Sequence, residues 1–117
     1  MDPEISNIVI ACPDGTWSET DGRWEGVPRD LAMFYAELLG MKIVREDWLK
    51  IGWEEGRRPH LAFGDGPTEN YLPPCWGEPE RPAQVYLEIP VSDLDAAGSM
   101  ALRLGAKSLD DQGTYRI

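Results

Sequence analysis

Residues 32–44 of this 117-residue chain read Ala-Met-Phe-Tyr-Ala-Glu-Leu-Leu-Gly-Met-Lys-Ile-Val, and this stretch decides the fold. Its apolar residues recur at the spacing of one helical face, and they are Leu31, Phe34, Tyr35, Leu38 and Leu39. Pro28 opens the helix at its favoured first turn, and Gly40 supplies a left-handed stop. The apolar residues after Gly40 predict a strand over residues 41–46, so the helix leads directly into a sheet.

Three other stretches of the first half predict strands around this helix. Residues 5–12 are apolar and β-branched and end in a Pro-Asp-Gly turn, while residues 49–54 and 60–63 are short apolar runs between turns. Residues 16–26 are polar and contain glycine, which predicts a long loop. Residues 65–82 are rich in Pro and Gly, which predicts a linker between two halves of the chain.

The second half repeats the order of the first. Residues 83–89 predict a strand, and Ser92 or Asp93 caps a helix that Gly105 ends. Short strands are predicted next, over residues 106–109 and 114–117. The chain is therefore predicted to be one α+β domain built from an internal repeat. Its parts are module one, the linker and module two, at residues 5–64, 65–82 and 83–117.

Strings from both halves carry a resemblance to a known superfamily. Residues 34–44 contain Phe-Tyr-x-x-Leu-Leu-Gly, residues 91–97 read Val-Ser-Asp-Leu-Asp-Ala-Ala, and residues 102–106 read Leu-Arg-Leu-Gly-Ala. They resemble the vicinal-oxygen-chelate superfamily, the glyoxalase and bleomycin-resistance fold. The resemblance implies two βαβββ modules that form a curled mixed sheet around a cup for a small ligand. Because the chain stops at Ile117, we expect module two to lack its last strand.

Metal-dependent members of that superfamily bind a divalent ion with His and Glu ligands from both modules. At the matching positions this chain has Asn7 and Tyr86 in place of His, and Ala62 in place of Glu. The fourth ligand would lie in the missing strand. An amide, a phenol and a methyl group do not form a competent divalent site. We therefore expect no metal and no other cofactor.

Strand alternation from these positions selects the candidate ligand-binding residues. The polar residues predicted to line the cup are Asn7, His60, Gln84, Tyr86 and Glu88. Trp24 and Trp53 are predicted to add ligand contacts, because indole faces stack on planar or cationic groups. Two interpretations of His60 stay open: a residue at the rim where a strand starts, or a base oriented by Glu88. No catalytic residue is assigned.

Composition limits the possible partners. The chain has 21 acidic and 11 basic residues, a net charge of -10. Such a surface repels phosphate backbones, which argues against nucleic acid, and it either keeps the protein soluble or attracts a cationic small-molecule ligand. The tryptophans make an aromatic ligand an alternative. The sequence has neither a run of about 20 apolar residues nor a signal peptide. We therefore expect no membrane partner, a cytoplasmic location, and reduced thiols at Cys12 and Cys75.

Three functions agree with these patterns. The leading one is a metal-independent small-molecule binder, like the bleomycin-resistance branch, and it favours a binding protein over an enzyme. The second is a divalent-metal-dependent glyoxalase-like enzyme, namely a lyase, isomerase or dioxygenase. The third is an interaction or regulatory module with a vestigial cup. A homodimer is expected, because superfamily members frequently pair and an open sheet edge near residues 114–117 would invite pairing.

Overall fold

Two helices, a mixed four-stranded sheet and a two-stranded sheet make up the described part of the chain, which confirms the predicted α+β class. The backbone groups into two units, Met1–Tyr71 and Leu72–Ile117, and the boundary between them falls within the predicted linker. The computed structural model describes four stretches of the chain, residues 2–54, 57–66, 69–82 and 85–117.

The first unit contains one helix and six strands in its described residues. They are β1 (Asn7–Pro13), β2 (Thr16–Ser18), β3 (Arg23–Glu25), α1 (Val27–Leu39), β4 (Lys42–Arg45), β5 (Lys50–Gly52) and β6 (His60–Gly66). The large sheet has the order β1-β6-β5-β4, with β1 parallel to β6 and the other pairs antiparallel. This order places β1 and β4 at the two edges, so β5 and β6 form the interior of the sheet.

Residues 16–26, predicted as a loop, form the hairpin of β2 and β3 instead. Trp17 pairs with Trp24 across the two strands, and their rings meet edge to face with centroids 5.5 Å apart. Such cross-strand aromatic pairs stabilise two-stranded ribbons. The loop prediction rested on the polar and glycine content of the segment, so it missed the pairing that makes the segment regular.

Helix α1 matches its prediction at both ends. Proline lies in the first turn, and Gly40 ends the helix in the left-handed conformation at φ 69°. The buried face of α1 carries Ala32 and Ala36, and the Tyr35 ring stacks on Phe63 of β6 with centroids 5.9 Å apart. These contacts fix which face of the sheet the helix covers, because Leu61 and Phe63 must point toward α1 and their neighbours away from it.

The hydrophobic core lies mainly under α1, with Ala62 on the opposite face of the sheet, and the buried apolar side chains that form it all belong to the first unit. These residues are Cys12, Ala32, Ala36, Leu49, Ile51, Leu61, Ala62 and Phe63. Phe63 is the largest side chain among those that are almost fully buried. Burial of this apolar area is the main favourable term in the stability of the unit.

The second unit is built differently. Its helix α2 (Leu94–Arg103) begins at Asp93, whose carboxylate accepts a hydrogen bond from the backbone N–H of Ala96 at 3.0 Å, so Asp93 rather than Ser92 is the cap. No residue of α2 is buried. Described residues 85–89 and 106–109 form no strand, and beyond them only Asp111 and Arg116 form an isolated antiparallel bridge. A strand requires a hydrogen-bonding partner along its length, and among the described residues the second segment has only single bonds, such as that from the Leu109 N–H to the Ile117 carbonyl.

Two further observations concern the cysteines and the helices. Both Cys12 and Cys75 are free thiols, the first buried and the second exposed. Neither α1 nor α2, the helices of the described residues, is long and apolar enough to cross a bilayer.

Candidate functional site

The face of the large sheet that points away from α1 is the first candidate site. Asn7 of β1 pairs with His60 of β6, and Lys42 of β4 pairs with Gly52 of β5. Paired residues lie on the same face of a sheet, and His60 faces away from α1 because Leu61 faces toward it. The sheet therefore brings together Asn7 and His60, two of the residues that the sequence assigned to the cup.

Gly52 makes room for the His60 ring. A side-chain Cβ at Gly52 would lie 2.6 Å from Cδ2 and 3.0 Å from Nε2 of His60, closer than van der Waals contact permits. The imidazole therefore lies across the neighbouring strand at a position where β5 has no side chain. The sequence prediction treated Gly52 only as part of a strand, and the signal it missed is a glycine in a strand interior, which often marks a close approach.

The Nε2 atom of His60 is buried and has no hydrogen-bond partner among the described residues. A buried polar atom without a partner costs about 1–3 kcal/mol, so a water molecule or a ligand that forms a hydrogen bond with this atom would remove that cost. Asn7 lies beside it, and its side-chain amide donates to Ser6 Oγ at 3.3 Å, a long hydrogen bond between exposed groups. Most of the hydrogen-bonding capacity of Asn7 is therefore still available.

The donor groups on this face do not fit the divalent ion that the resemblance implies. Ala62, at the expected Glu position, pairs with Val9 on the same face as Asn7 and His60. One imidazole and one amide do not form a coordination shell for a divalent metal. Within residues 2–54, 57–66, 69–82 and 85–117, no group of three or more His, Cys, Asp or Glu side chains could hold a metal ion.

A separate pocket of about 270 Å³ lies on the α1 side of the sheet, at the end where β1 and β6 finish. Trp24, a predicted ligand contact, forms part of its wall, and the Trp24 Nε1–H donates to the Asp47 carbonyl at 3.0 Å. The lining residues are Asp14, Trp24, Pro28, Asp47, Trp48, Leu49, Phe63 and Asp65. The three carboxylates and Trp48 were missed, because strand-end aspartates resemble ordinary turn residues in a sequence.

Hydrogen bonds hold the rim of this pocket in place. Asp14 accepts from the backbone N–H of Asp65 at 2.8 Å, which joins the ends of β1 and β6. Arg29 of α1 donates to the Trp24 carbonyl at 2.7 Å and to Glu46 at 2.5 Å. Hydrogen bonds from Arg45 hold the pKa of the Asp47 carboxyl below its ordinary value. These contacts support the rim of the pocket.

The other predicted contact residues lie elsewhere. Trp53 supports the end of α1, because its Nε1–H donates to the Leu39 carbonyl at 3.2 Å and the Arg57 guanidinium stacks over its ring at 4.3 Å. Tyr86 and Glu88 belong to the second unit and are exposed, and Tyr86 meets the Trp76 ring edge to face at 5.5 Å. Gln84 lies outside the described residues.

Comparison with known proteins identifies one family. The family model described as a glyoxalase-like domain matches residues 25–116. No curated protein matches the chain, and no solved structure matches it. The matched range contains both helices and strands β4 to β6, and it begins after Asn7.

Proposed function

The chain belongs to the glyoxalase-like domain family, and from this premise we propose that it is a metal-independent small-molecule binding protein. The observation that carries the proposal is the buried, unpartnered Nε2 of His60 on the sheet face opposite α1. A ligand that supplies a hydrogen bond to this atom removes an energetic cost that the free protein bears. That difference favours the bound state.

The surroundings of His60 support a binding surface for a small molecule. Val9, two residues after Asn7, is 41% exposed, and Ala11 after it is also exposed. Beside them β5 and β6 carry the small residues Gly52, Ala62 and Gly64, which are buried beneath their neighbours, so the exposed apolar area belongs to β1. A mostly apolar surface with a few hydrogen-bonding groups is typical of small-molecule sites. The proposed ligand therefore lies against β1 and β6 and reaches His60 at one end.

The donor chemistry supports the metal-independent form of the proposal. Asn7 and Ala62 occupy the positions where metal-dependent members of the superfamily have their first-module ligands. An amide and a methyl group bind ligands by hydrogen bonding and apolar contact. The proposal therefore assigns to Asn7 and His60 the role of direct ligand contacts.

A fragment screen with the full-length, ¹⁵N-labelled protein tests the proposal. With a chelator present, we expect fragments to shift the backbone amide signals of Asn7, Gly52 and His60. Replacement of His60 by Leu keeps the bulk but removes the hydrogen bond, and should weaken the best fragment about tenfold. Tyr35→Phe, which removes a hydroxyl from the α1 side of the sheet, is the matched control and should leave binding unchanged.

The proposal would be overturned in either of two ways. The first is that fragments of every charge class leave these three amide signals in place. The second is that binding at the face requires added Ni²⁺, Zn²⁺ or Fe²⁺, which would favour the metal-dependent enzyme class instead.

A further inference from the structure

We propose that the ligand of this sheet face is a small organic anion, a carboxylate or a phosphate monoester, held by Lys50 and Lys42 together with His60. This inference rests on the proposed function and specifies the ligand class for the same site. It runs against the overall composition, because the protein as a whole carries a net charge of -10. The pairing of the strands, rather than the composition, places positive charge on this one surface.

Strand register puts both lysines on the face of His60. Lys50 of β5 pairs with Ala62 of β6, two residues from His60 on the same side of the strand. Lys42 of β4 pairs with Gly52, the residue over which the His60 ring lies. Diagonal neighbours on adjacent antiparallel strands are about 7–8 Å apart, so Lys50 and His60 can both reach one small ligand.

A bulge in β4 adds a third basic residue to the same face. The register shifts between Ile43, which pairs with Ile51, and Arg45, which pairs with Lys50. Without the bulge, alternation from Lys42 would place Arg45 on the α1 side of the sheet. Bulges commonly turn a side chain to the other face in this way. Arg45 itself is balanced, because its guanidinium donates two hydrogen bonds to Asp47, at 2.6 and 3.1 Å.

The two lysines differ from Arg45 in having no carboxylate partner. Neither Lys42 nor Lys50 forms an ion pair with any residue that the structure describes. The ammonium of Lys50 lies instead over the Trp48 ring, 4.8 Å from its centroid. A cation–π contact does not neutralise the charge of the ammonium.

The position of Lys50 is stronger evidence for an anionic ligand than the position of Lys42. Lys42 lies on an edge strand, where lysine commonly prevents pairing with other chains. Lys50 lies on interior strand β5 and is half-buried, a position where lysine is uncommon unless it has a partner. An anionic ligand would supply that partner. The decisive variants therefore change Lys50.

Four phenyl compounds that differ in charge test the inference: phenylacetate, phenyl phosphate, phenethylammonium and phenylacetamide. With the full-length protein, we follow the amide signals of Gly52 and His60 as each compound is added. We expect phenylacetate or phenyl phosphate to bind with a dissociation constant at least tenfold lower than that of the cation or the amide. Whichever anion binds more tightly distinguishes a carboxylate from a phosphate site. Lys50→Met should weaken that anion about tenfold, whereas Lys50→Arg should retain it.

Lys107→Met is the matched control, because it removes the same charge from the second unit and should change binding less than twofold. Circular dichroism of each variant shows whether it is folded. If Lys50→Met is not folded, the comparison of the wild type with Lys50→Arg still tests the inference. Tighter binding of phenethylammonium at this face would overturn the anion assignment and leave the proposed function intact. Equal binding of the anion to the wild type and Lys50→Met would also overturn it. If none of the four compounds shifts these signals while other fragments do, the anion assignment is wrong and the proposed small-molecule binding function stands.

Discussion

The two units of this chain follow the same order of apolar and polar residues but reach different degrees of burial. In the first unit, α1 packs on a four-stranded sheet and buries Ala32 and Ala36. In the second, α2 has a similar apolar stripe and a better N-terminal cap, yet none of its residues is buried. The comparison teaches that a repeated pattern specifies a helix locally, while a core requires paired strands beneath that helix.

Local polar interactions, rather than a buried core, stabilise the described part of the second unit. The Asp93 carboxylate caps α2, and the Arg116 guanidinium forms ion pairs with Asp95 of α2 and with Asp111. Arg116 also passes close to Gly98, where a Cβ would contact its guanidinium. Exposed ion pairs of this type contribute little each, so we expect substitutions in the second unit to have small effects.

The largest expected difference between the units comes from deleting a large apolar side chain. Phe63→Ala in the core of the first unit should lower the free energy of unfolding by about 3–5 kcal/mol, because it leaves a cavity. Leu102→Ala on α2, where the side chain is 54% exposed, should change it by about 0.5 kcal/mol or less. Urea denaturation followed by circular dichroism measures both. Similar losses for the two variants would mean that α2 is buried to the same extent as the core.

A methyl group added to a glycine should also distinguish the units. Gly52→Ala forces the His60 ring to move and should cost about 1–3 kcal/mol, as overpacking does. Gly98→Ala displaces only the flexible end of Arg116 and should gain up to about 1 kcal/mol of helix propensity. The free energy of unfolding from denaturant titration gives both values.

A double variant checks the cause. If the clash with the imidazole is responsible, His60→Ala should recover most of the Gly52→Ala loss in a double-mutant cycle. A loss that stays the same in the His60→Ala background would assign it to the backbone of β5 instead.

The cap of α2 gives a smaller effect within the second unit. Asp93→Ala removes the acceptor for the Ala96 N–H and should cost about 1 kcal/mol. Asp93→Asn retains an acceptor oxygen and should cost clearly less. Helix content from circular dichroism, measured with the unfolding free energy, checks the pair. Equal losses for Ala and Asn would show that the charge near the helix start matters more than the hydrogen bond.

Local signals in the sequence predicted α1, the cap of α2 and the four strands of the large sheet, but not the hairpin of β2 and β3. Pro28, Gly40 and the apolar spacing between them are sufficient to place α1, since they act within one segment. The same spacing rules predicted strands at residues 83–89 and 106–109, and the described residues 85–89 and 106–109 form none. Strand formation depends on a partner elsewhere in the chain, and periodicity alone carries no information about that partner.

The candidate site was only partly predictable for a related reason. Alternation placed Asn7 and His60 on one face, and register in the sheet agrees. The lysines on that face were not found, because Lys42 and Lys50 join it through pairings between strands that are distant in the sequence. Overall acidity even favoured a cationic ligand, since net charge averages over surfaces that the fold separates.

The smallest expected difference between the units is in how alkaline solution changes the free energy of unfolding. Burial raises the pKa of the Cys12 thiol and the Tyr35 phenol, both in the first unit, above their ordinary values of 9.0 and 10.0. The unfolded chain therefore loses these protons first, and the folded state is stabilised fully below about pH 9 and progressively less above it. Urea titrations at about pH 8, 9 and 10 should show this fall, and it should be shallower in Tyr35→Phe and in Cys12→Ala. Tyr115→Phe, which changes an exposed phenol in the second unit, should leave the slope unchanged. If that control flattened the slope as much as Tyr35→Phe does, the alkaline loss would not arise from the buried core.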